Sequence, residues 1–246
     1  LELGAGTRVV RPLRFGHGAG DYPDWLLPAV GLLGANGLMW GGGAAKELSG
    51  RPWDSGLRRL KVLVAGSVDP AFDDPGLRHS YKRQIAAATS CGDVTIEALA
   101  VAAVSLQIAE VRRQLQEIYR GRPIEAQFTI PVPIDQVQHS AVLGQYHRII
   151  NAVQAVVQPS GQLVASGVDL LHAAGEAVEQ ASPLENADGW LFALPEAVAQ
   201  IACYARSLDV LPGVYGVVDI GAGTTDVSIM AIRSGNHGEL GYFWYS

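Results

Sequence analysis

The residues best suited to chemistry form a short glycine-rich turn near the end of the chain. The sequence DIGAGTTD begins at Asp219 and stands between two apolar runs. Gly221 and Gly223 have no Cβ, so backbone N–H groups in this turn can approach phosphate oxygens closely. Thr224 and Thr225 add hydroxyl donors, and a carboxylate such as Asp219 can hold a hydrated Mg²⁺. The pattern indicates a phosphate and Mg²⁺ site, and an ordinary hairpin turn is the alternative.

The residues around the turn exclude two other kinds of phosphate site. A dinucleotide-binding fingerprint needs a helix after its glycines, whereas DVSIMAI, from Asp226 to Ile232, alternates like a strand. The lysine-containing phosphate loop is also absent from the sequence. We therefore predict a hairpin of two strands, 214–219 and 227–232, joined by the glycine-rich turn.

The elements that must position this hairpin alternate between strands and helices. Strands are also predicted over 8–10, 25–33, 126–130 and 163–168. Helices are predicted over 54–64, 96–119, 135–157 and 193–206, with Asp54, Asp93 or Thr95, Asp135 and Pro195 at their starts. Pro131 is expected to stop the strand before it. The alternation indicates an α/β layered domain.

Composition narrows the classes of function. The 246 residues include 18 basic and 24 acidic ones, for a net charge of -6, which argues against a sequence-independent grip on nucleic acid. Two cysteines are too few for a disulfide framework, and no apolar stretch reaches the ~20 residues of a membrane-spanning helix. We expect a cytoplasmic protein that binds neither nucleic acid nor membrane.

Three motifs, in a characteristic order, resemble those of one superfamily. The hairpin from Val217 to Met230 resembles the second phosphate hairpin of the seventy-kilodalton heat-shock chaperones and their actin and sugar-kinase relatives, with Ala222 where many members have Gly. Upstream, FTIPVPIDQVQ resembles the chaperones' strand, switch proline and helix, with Pro131 as the proline and His139 where chaperones usually carry Arg. Between them, LPEAVA resembles the first connecting helix of the family.

The resemblance also implies two catalytic side chains besides Asp219. The segment ending at Lys61 is similar to the one whose lysine reaches the terminal phosphate, so Lys61 is implied in that role. Leu194 stands at the usual position of a glutamate, and Glu196 would supply the carboxylate from a different place on the helix. The alternatives are a solvated helix lysine and a first-turn glutamate favoured by the helix dipole.

The start of the chain, LELGAGTR, resembles the first phosphate hairpin of the family. Gly4, Gly6 and Thr7 are thereby implied in binding phosphate, together with the four turn residues above. Glu2 stands where the family has Asp and is implied as an Mg²⁺ ligand beside Asp219.

The fold that the resemblance implies is an actin-like ATPase fold, with a ribonuclease-H-like mixed sheet and flanking helices. Residues 1–212 would form the first lobe and 213–246 the opening strands of a second, incomplete lobe. The family builds its adenine and ribose site largely from the second half of the fold. We therefore expect both termini to be cut points in a longer Mg²⁺-dependent ATPase, and the present chain to be inactive, without a complete nucleotide pocket.

The implied function is an ATP-binding, ATP-hydrolysing molecular switch, most like the nucleotide-binding domain of a bacterial seventy-kilodalton heat-shock-like protein. Its expected partners are ATP and ADP, with protein clients or co-chaperone-like proteins. Three alternatives remain: a filament-forming segregation or cytoskeletal ATPase, a small-molecule kinase of the same superfamily, and a non-catalytic nucleotide-sensing scaffold. The scaffold is favoured by the departures at Glu2, Leu194 and His139.

Overall fold

The computed structural model describes residues 29–52, 55–88, 94–120, 122, 124–186, 188–205, 210–220, 225–234 and 240–245. This part of the chain is a mixed α/β structure. Its helices are α1 Gly42–Glu47, α2 Leu60–Gly66, α3 Pro75–Ala87, α4 Ile96–Ile118, α5 Ile134–Val137, α6 Ser140–Val156, α7 Gly167–Gln180 and α8 Glu196–Ala205. Its strands are β1 Gly31–Gly34, β2 Gly37–Trp40, β3 Phe128–Val132, β4 Leu191–Pro195, β5 Gly213–Ile220, β6 Thr225–Ser234 and β7 Leu240–Tyr245.

The core lies where α4, α6 and α7 pack on one another. Helix α4 begins because the Thr95 hydroxyl accepts a hydrogen bond from Ala98 N at 3.1 Å, which satisfies one of the unpaired N–H groups of its first turn. Residues 98–103 are all buried, whereas the helix becomes polar towards its end. This confirms the predicted helix 96–119 and its cap at Thr95.

The segment after β3 differs from the prediction of one helix over 135–157. It forms two helices, because the chain leaves helical geometry at His139, whose φ of -93° and ψ of 103° are extended. Asp135 lies in the first turn of α5 and its side chain accepts from Gln136 N at 2.9 Å, so it does not cap α6. The predicted strand 163–168 is also wrong, since only Leu163 makes a bridge, to Val157, and α7 starts at Gly167.

Strands β3 and β4 form a parallel pair, with Phe128 opposite Leu191 and Val132 opposite Pro195. The prediction that Pro131 ends the first strand is wrong, because β3 continues through it. In a two-stranded sheet each strand has an unpaired edge, where the missing N–H of proline costs nothing. The helix predicted over 193–206 starts later, at Glu196, because residues 191–195 pair with β3.

A β-hairpin and a short helix precede the core. Strands β1 and β2 are antiparallel around Gly37, whose φ is 99°, and a Cβ there would lie 2.3 Å from the backbone carbonyl carbon of Gly167. Helix α2 starts at Leu60 rather than at 54, after Arg59 in a left-handed conformation with φ of 55°. Asp54, Asp93 and the predicted strand 8–10 lie outside the described residues. The strand predicted over 25–33 is described from 29 onward and overlaps β1 at 31–33.

The third sheet contains β5, β6 and β7 in antiparallel order. This confirms the two predicted strands 214–219 and 227–232, and adds β7. The described strands thus belong to three separate sheets, while the continuous mixed sheet and the division into two lobes remain predictions. Within the described ranges, every helix is too short or too polar to span a lipid bilayer.

Candidate functional site

Two of the predicted catalytic side chains meet in the structure. Lys61 Nζ lies 3.3 Å from Glu196 Oε1, although the two residues are 135 positions apart in sequence. Lys61 is the second residue of α2, and Glu196 is the first residue of α8. The fold therefore joins two elements that only the resemblance had linked.

Glu196 stands at the carboxyl edge of the parallel sheet. It follows β4 directly, and Asp135 follows β3 by three residues, so both carboxylates leave the same end of the paired strands. In α/β proteins, ligands bind preferentially beyond the carboxyl ends of parallel strands, where loops and helix starts provide polar groups. Lys61 brings a positive charge to this edge.

A small core beneath the pair holds it in position. Ala65 of α2, Val132 of β3, and Val142 and Tyr146 of α6 are buried against one another. The hydroxyl of Tyr146 donates to Gln136 Oε1 at 3.0 Å, which satisfies both polar groups in this buried setting. Burial, and then the negative charges of Glu196 and Asp135, raise the pKa of Tyr146 above its usual range. The hydroxyl therefore stays protonated beside the two carboxylates.

The ion pair itself contributes little to stability. Lys61 is 42 % exposed and Glu196 is 25 % exposed, and water screens a pair at such a position. Pairs of this kind contribute about 0.2–1 kcal/mol. An anion can therefore take the place of Glu196 beside Lys61 at small cost, and Lys61 is exposed enough to be reached by one.

A second polar contact lies on the loop before α6. His139 Nδ1 is 3.1 Å from Asp69 Oδ2, and the ring of His139 meets Phe72 edge-on at 5.1 Å. The position at which the resemblance implies Arg thus has an acidic neighbour in this chain. The contact ties the start of α6 to the turn that follows α2.

The remaining predicted site residues are only partly described. Asp219 lies in β5 opposite Asp226, and Thr225 is the first residue of β6, opposite Ile220; for all of these only the backbone is described. Helix α8 contacts β5, which connects the Glu196 helix with the hairpin. The other predicted phosphate and metal residues lie outside the described part: Glu2, Gly4, Gly6, Thr7, Gly221, Gly223 and Thr224.

Among the described residues, no three His, Cys, Asp or Glu side chains are grouped closely enough to hold a metal ion. The side chains of the proposed Mg²⁺ ligands Glu2 and Asp219 lie outside the described part of the structure. The chain matches no protein-family model, no curated protein and no solved structure.

Sequence reasoning missed the residues that support the pair, above all Tyr146 and Gln136. A signal for Tyr146 is present, since Val142, Tyr146 and Ile149 follow helical spacing on the apolar face of α6. A tyrosine buried on such a face needs a hydrogen-bond acceptor for its hydroxyl. Which residue accepts it depends on the break between α5 and α6, which the sequence pattern did not reveal.

Proposed function

We propose that this chain is part of an ATP-binding, ATP-hydrolysing molecular switch of the actin, sugar-kinase and heat-shock-chaperone superfamily. The observation that carries the proposal is the contact of Lys61 with Glu196 at the carboxyl edge of a parallel strand pair. The order of three motifs along the sequence supports it independently. The corresponding fold would be the actin-like one, with 1–212 as its first lobe and 213–246 opening the second.

The residues at the sheet edge fit a nucleotide's phosphates. An ammonium group and a carboxylate, both partly exposed, provide one group that attracts the terminal phosphate and one that can orient water. The two also neutralise each other in the absence of ligand, which avoids an unpaired charge at a half-buried position. The hairpin of β5 and β6, reached from Glu196 through α8, would provide the glycine-rich turn for the phosphate chain.

In this mechanism Lys61 turns from Glu196 to the terminal phosphate and offsets the charge that develops during transfer. Glu196, released from the pair, accepts a hydrogen bond from the attacking water and orients it. Tyr146 and Gln136 keep the floor of the site fixed. Asp219 and Glu2 would hold Mg²⁺, which supplies charge neutralisation at the phosphates when bound.

A phosphate-release assay on the protein expressed from its complete gene tests this assignment. Glu196→Gln keeps the shape of the side chain and removes its charge, and we expect turnover of ATP to fall at least about 100-fold. Asp219→Asn should abolish the Mg²⁺-dependent turnover. Unchanged turnover in either variant would contradict the role of that residue.

A matched control residue lies on α4, away from the sheet edge. Glu117 is also a half-exposed carboxylate in an ion pair, with Arg113 on α4. Glu117→Gln makes the same chemical change away from the sheet edge and should leave turnover within twofold of the unsubstituted protein. A similar loss in both glutamate variants would point to a general effect of charge on stability.

One observation favours a nucleotide sensor without catalysis as the second candidate. Leu194, at the position of the family's glutamate, lies in β4 opposite Pro131 and has no group that could orient water. If Glu196 stays bound to Lys61 when ATP binds, the protein would bind nucleotide without hydrolysing it. Calorimetric binding of ATP with no phosphate release would identify this case.

Two further measurements separate the remaining alternatives. Sedimentation of the protein with ATP would identify a filament protein. ADP formation that depends on an added metabolite would identify a small-molecule kinase.

A further inference from the structure

A buried arginine on the far half of α4 has no acidic partner in the described part of the chain. Arg112 is only 7 % exposed. Its Nη2 donates to Ala126 O at 3.1 Å, while its Nε is buried without an acceptor. Burial lowers the pKa of Arg112, yet a guanidinium remains charged at any physiological pH.

Two aromatic rings hold this guanidinium in place. Its central carbon lies 5.1 Å from the ring centroid of Phe128 and 5.9 Å from that of Trp190. The rings stabilise the cation and fix its plane, but they supply no hydrogen-bond acceptor. A buried charge with an unused donor is costly, so a ligand that provides an acceptor for this donor would stabilise the arrangement.

The neighbouring arginine shows the contrast. Arg113 donates to both carboxylate oxygens of Glu110, at 2.9 and 2.7 Å, and also pairs with Glu117. It is half-exposed and fully neutralised. The positive charge that lacks compensation at this point of the structure is therefore that of Arg112.

A cavity of about 300 Å³ adjoins Arg112. Its floor is one face of α4, lined by Ala109, Arg112, Arg113 and Gln116 at helical spacing. Its other wall is the turn 160–162 between α6 and α7. Gln116 Nε2 donates to Ser160 O at 3.2 Å, so the turn is held to α4 by a contact that an entering ligand can replace.

We propose that this cavity binds a carboxylate, which accepts hydrogen bonds from Arg112 Nε and the Gln116 amide. A planar carboxylate matches the planar donor edge of a guanidinium. A single charge is favoured because, of the two described arginines that line the cavity, Arg113 is already neutralised by Glu110 and Glu117, which leaves the one charge of Arg112 to be balanced. Since Nε is out of contact with solvent, the turn 160–162 must move outward by a small amount on binding. None of these residues belongs to the Lys61 and Glu196 pair.

Thermal unfolding of the whole chain in sodium acetate, compared with sodium chloride at equal concentration, tests the proposal. We expect acetate at roughly ten times its Kd to raise the Tm by about 3 °C. Arg112→Gln should lose this rise, while Arg51→Gln, which removes the same charge from an exposed position outside the cavity, should keep it. An equal rise in all three proteins, or no rise in any, would overturn the site.

A second measurement covers the case in which Arg112→Gln does not fold. In the unsubstituted chain with isotope-labelled arginine, the Nε–H resonance of Arg112 should shift on adding acetate and should not shift with chloride. Acetylated dialanine with a free carboxyl end, compared with its amide, separates the sources of the carboxylate. Tighter binding than acetate by the free acid indicates the end of a polypeptide, and binding by acetate alone indicates a small metabolite. Equal binding by acid and amide would contradict recognition of a carboxylate.

Discussion

At the scale of single residues, the site depends on a few polar side chains that are held by buried ones. Lys61 and Glu196 are exposed enough to exchange partners, whereas Tyr146 and Gln136 beneath them are 3 % and 7 % exposed. The partly exposed ion pair therefore lies above a buried hydrogen bond. This division lets a weak ion pair occupy a defined position without contributing much to stability.

Tyr146→Phe should destabilise the protein by about 1–3 kcal/mol, because it leaves the buried Gln136 Oε1 without its donor. The measurement is the free energy of unfolding in urea. The double variant Tyr146→Phe, Gln136→Leu removes both polar groups and should recover at least half of the loss. If the double variant is as unstable as the sum of the two single ones, the hydrogen bond is not the cause.

At the scale of secondary-structure elements, the sequence predicted the helices and strands whose signals are local. Helix α4 has a side-chain cap at Thr95 and a long apolar run, and the hairpin of β5 and β6 has period-two alternation around glycines. Strand β4 was predicted as the start of a helix because a five-residue apolar run carries no clear period, and only its pairing with β3 makes it a strand. Helix α7 was missed because Gly167 and Gly175 lower its intrinsic helix propensity.

Two glycines on neighbouring elements should respond in opposite ways to alanine. Gly161 has a φ of 87°, and a Cβ there would lie 2.4 Å from Arg112 Cβ, so Gly161→Ala should cost more than about 1 kcal/mol. Gly175 lies inside α7 with nothing within 4 Å of an added Cβ, so Gly175→Ala should stabilise by about 0.5–1 kcal/mol. Urea unfolding of both variants checks the pair, and equal signs would contradict the backbone argument.

As with the helices and strands, the site residues that could be predicted were those with a local sequence signal. Lys61 and Glu196 were found through motif resemblance, and the structure shows that they meet, while their catalytic roles remain predictions. Gln136, Tyr146 and Arg112 could not be found, because their significance comes from burial and from contacts between distant segments. A polar residue on an apolar helix face is visible in sequence, but its partner is not.

At the scale of the whole molecule, the third sheet presents an apolar face. Val218 of β5 lies opposite Val227 of β6, and they are 59 % and 68 % exposed. Ile229 and Phe243 are also exposed, at 48 % and 47 %. Ser228, Met230 and Ile232, by contrast, are buried. Exposed apolar patches of this kind commonly mark surfaces that another structure covers.

Replacing Val218 and Val227 together by Thr should make this face more polar without weakening the strands, because Thr also favours strands. We expect the binding of a hydrophobic dye such as ANS to fall clearly, with the free energy of unfolding changed by no more than about 0.5 kcal/mol. Val164→Thr, at an exposed valine outside the sheet, is the control and should leave dye binding unchanged. Equal dye binding by all three proteins would show that the dye binds outside this face.

The distance along the chain between Lys61 and Glu196 has a consequence for synthesis on the ribosome. The two residues are 135 positions apart, and β4 can pair with β3 only after α6 and α7 have been made. Closing so long a loop is slow compared with forming a helix, so α4 and its neighbours should form early and the sheet edge late. A nascent chain released before Glu196 emerges would therefore contain most of the helical core and no trace of the charged pair.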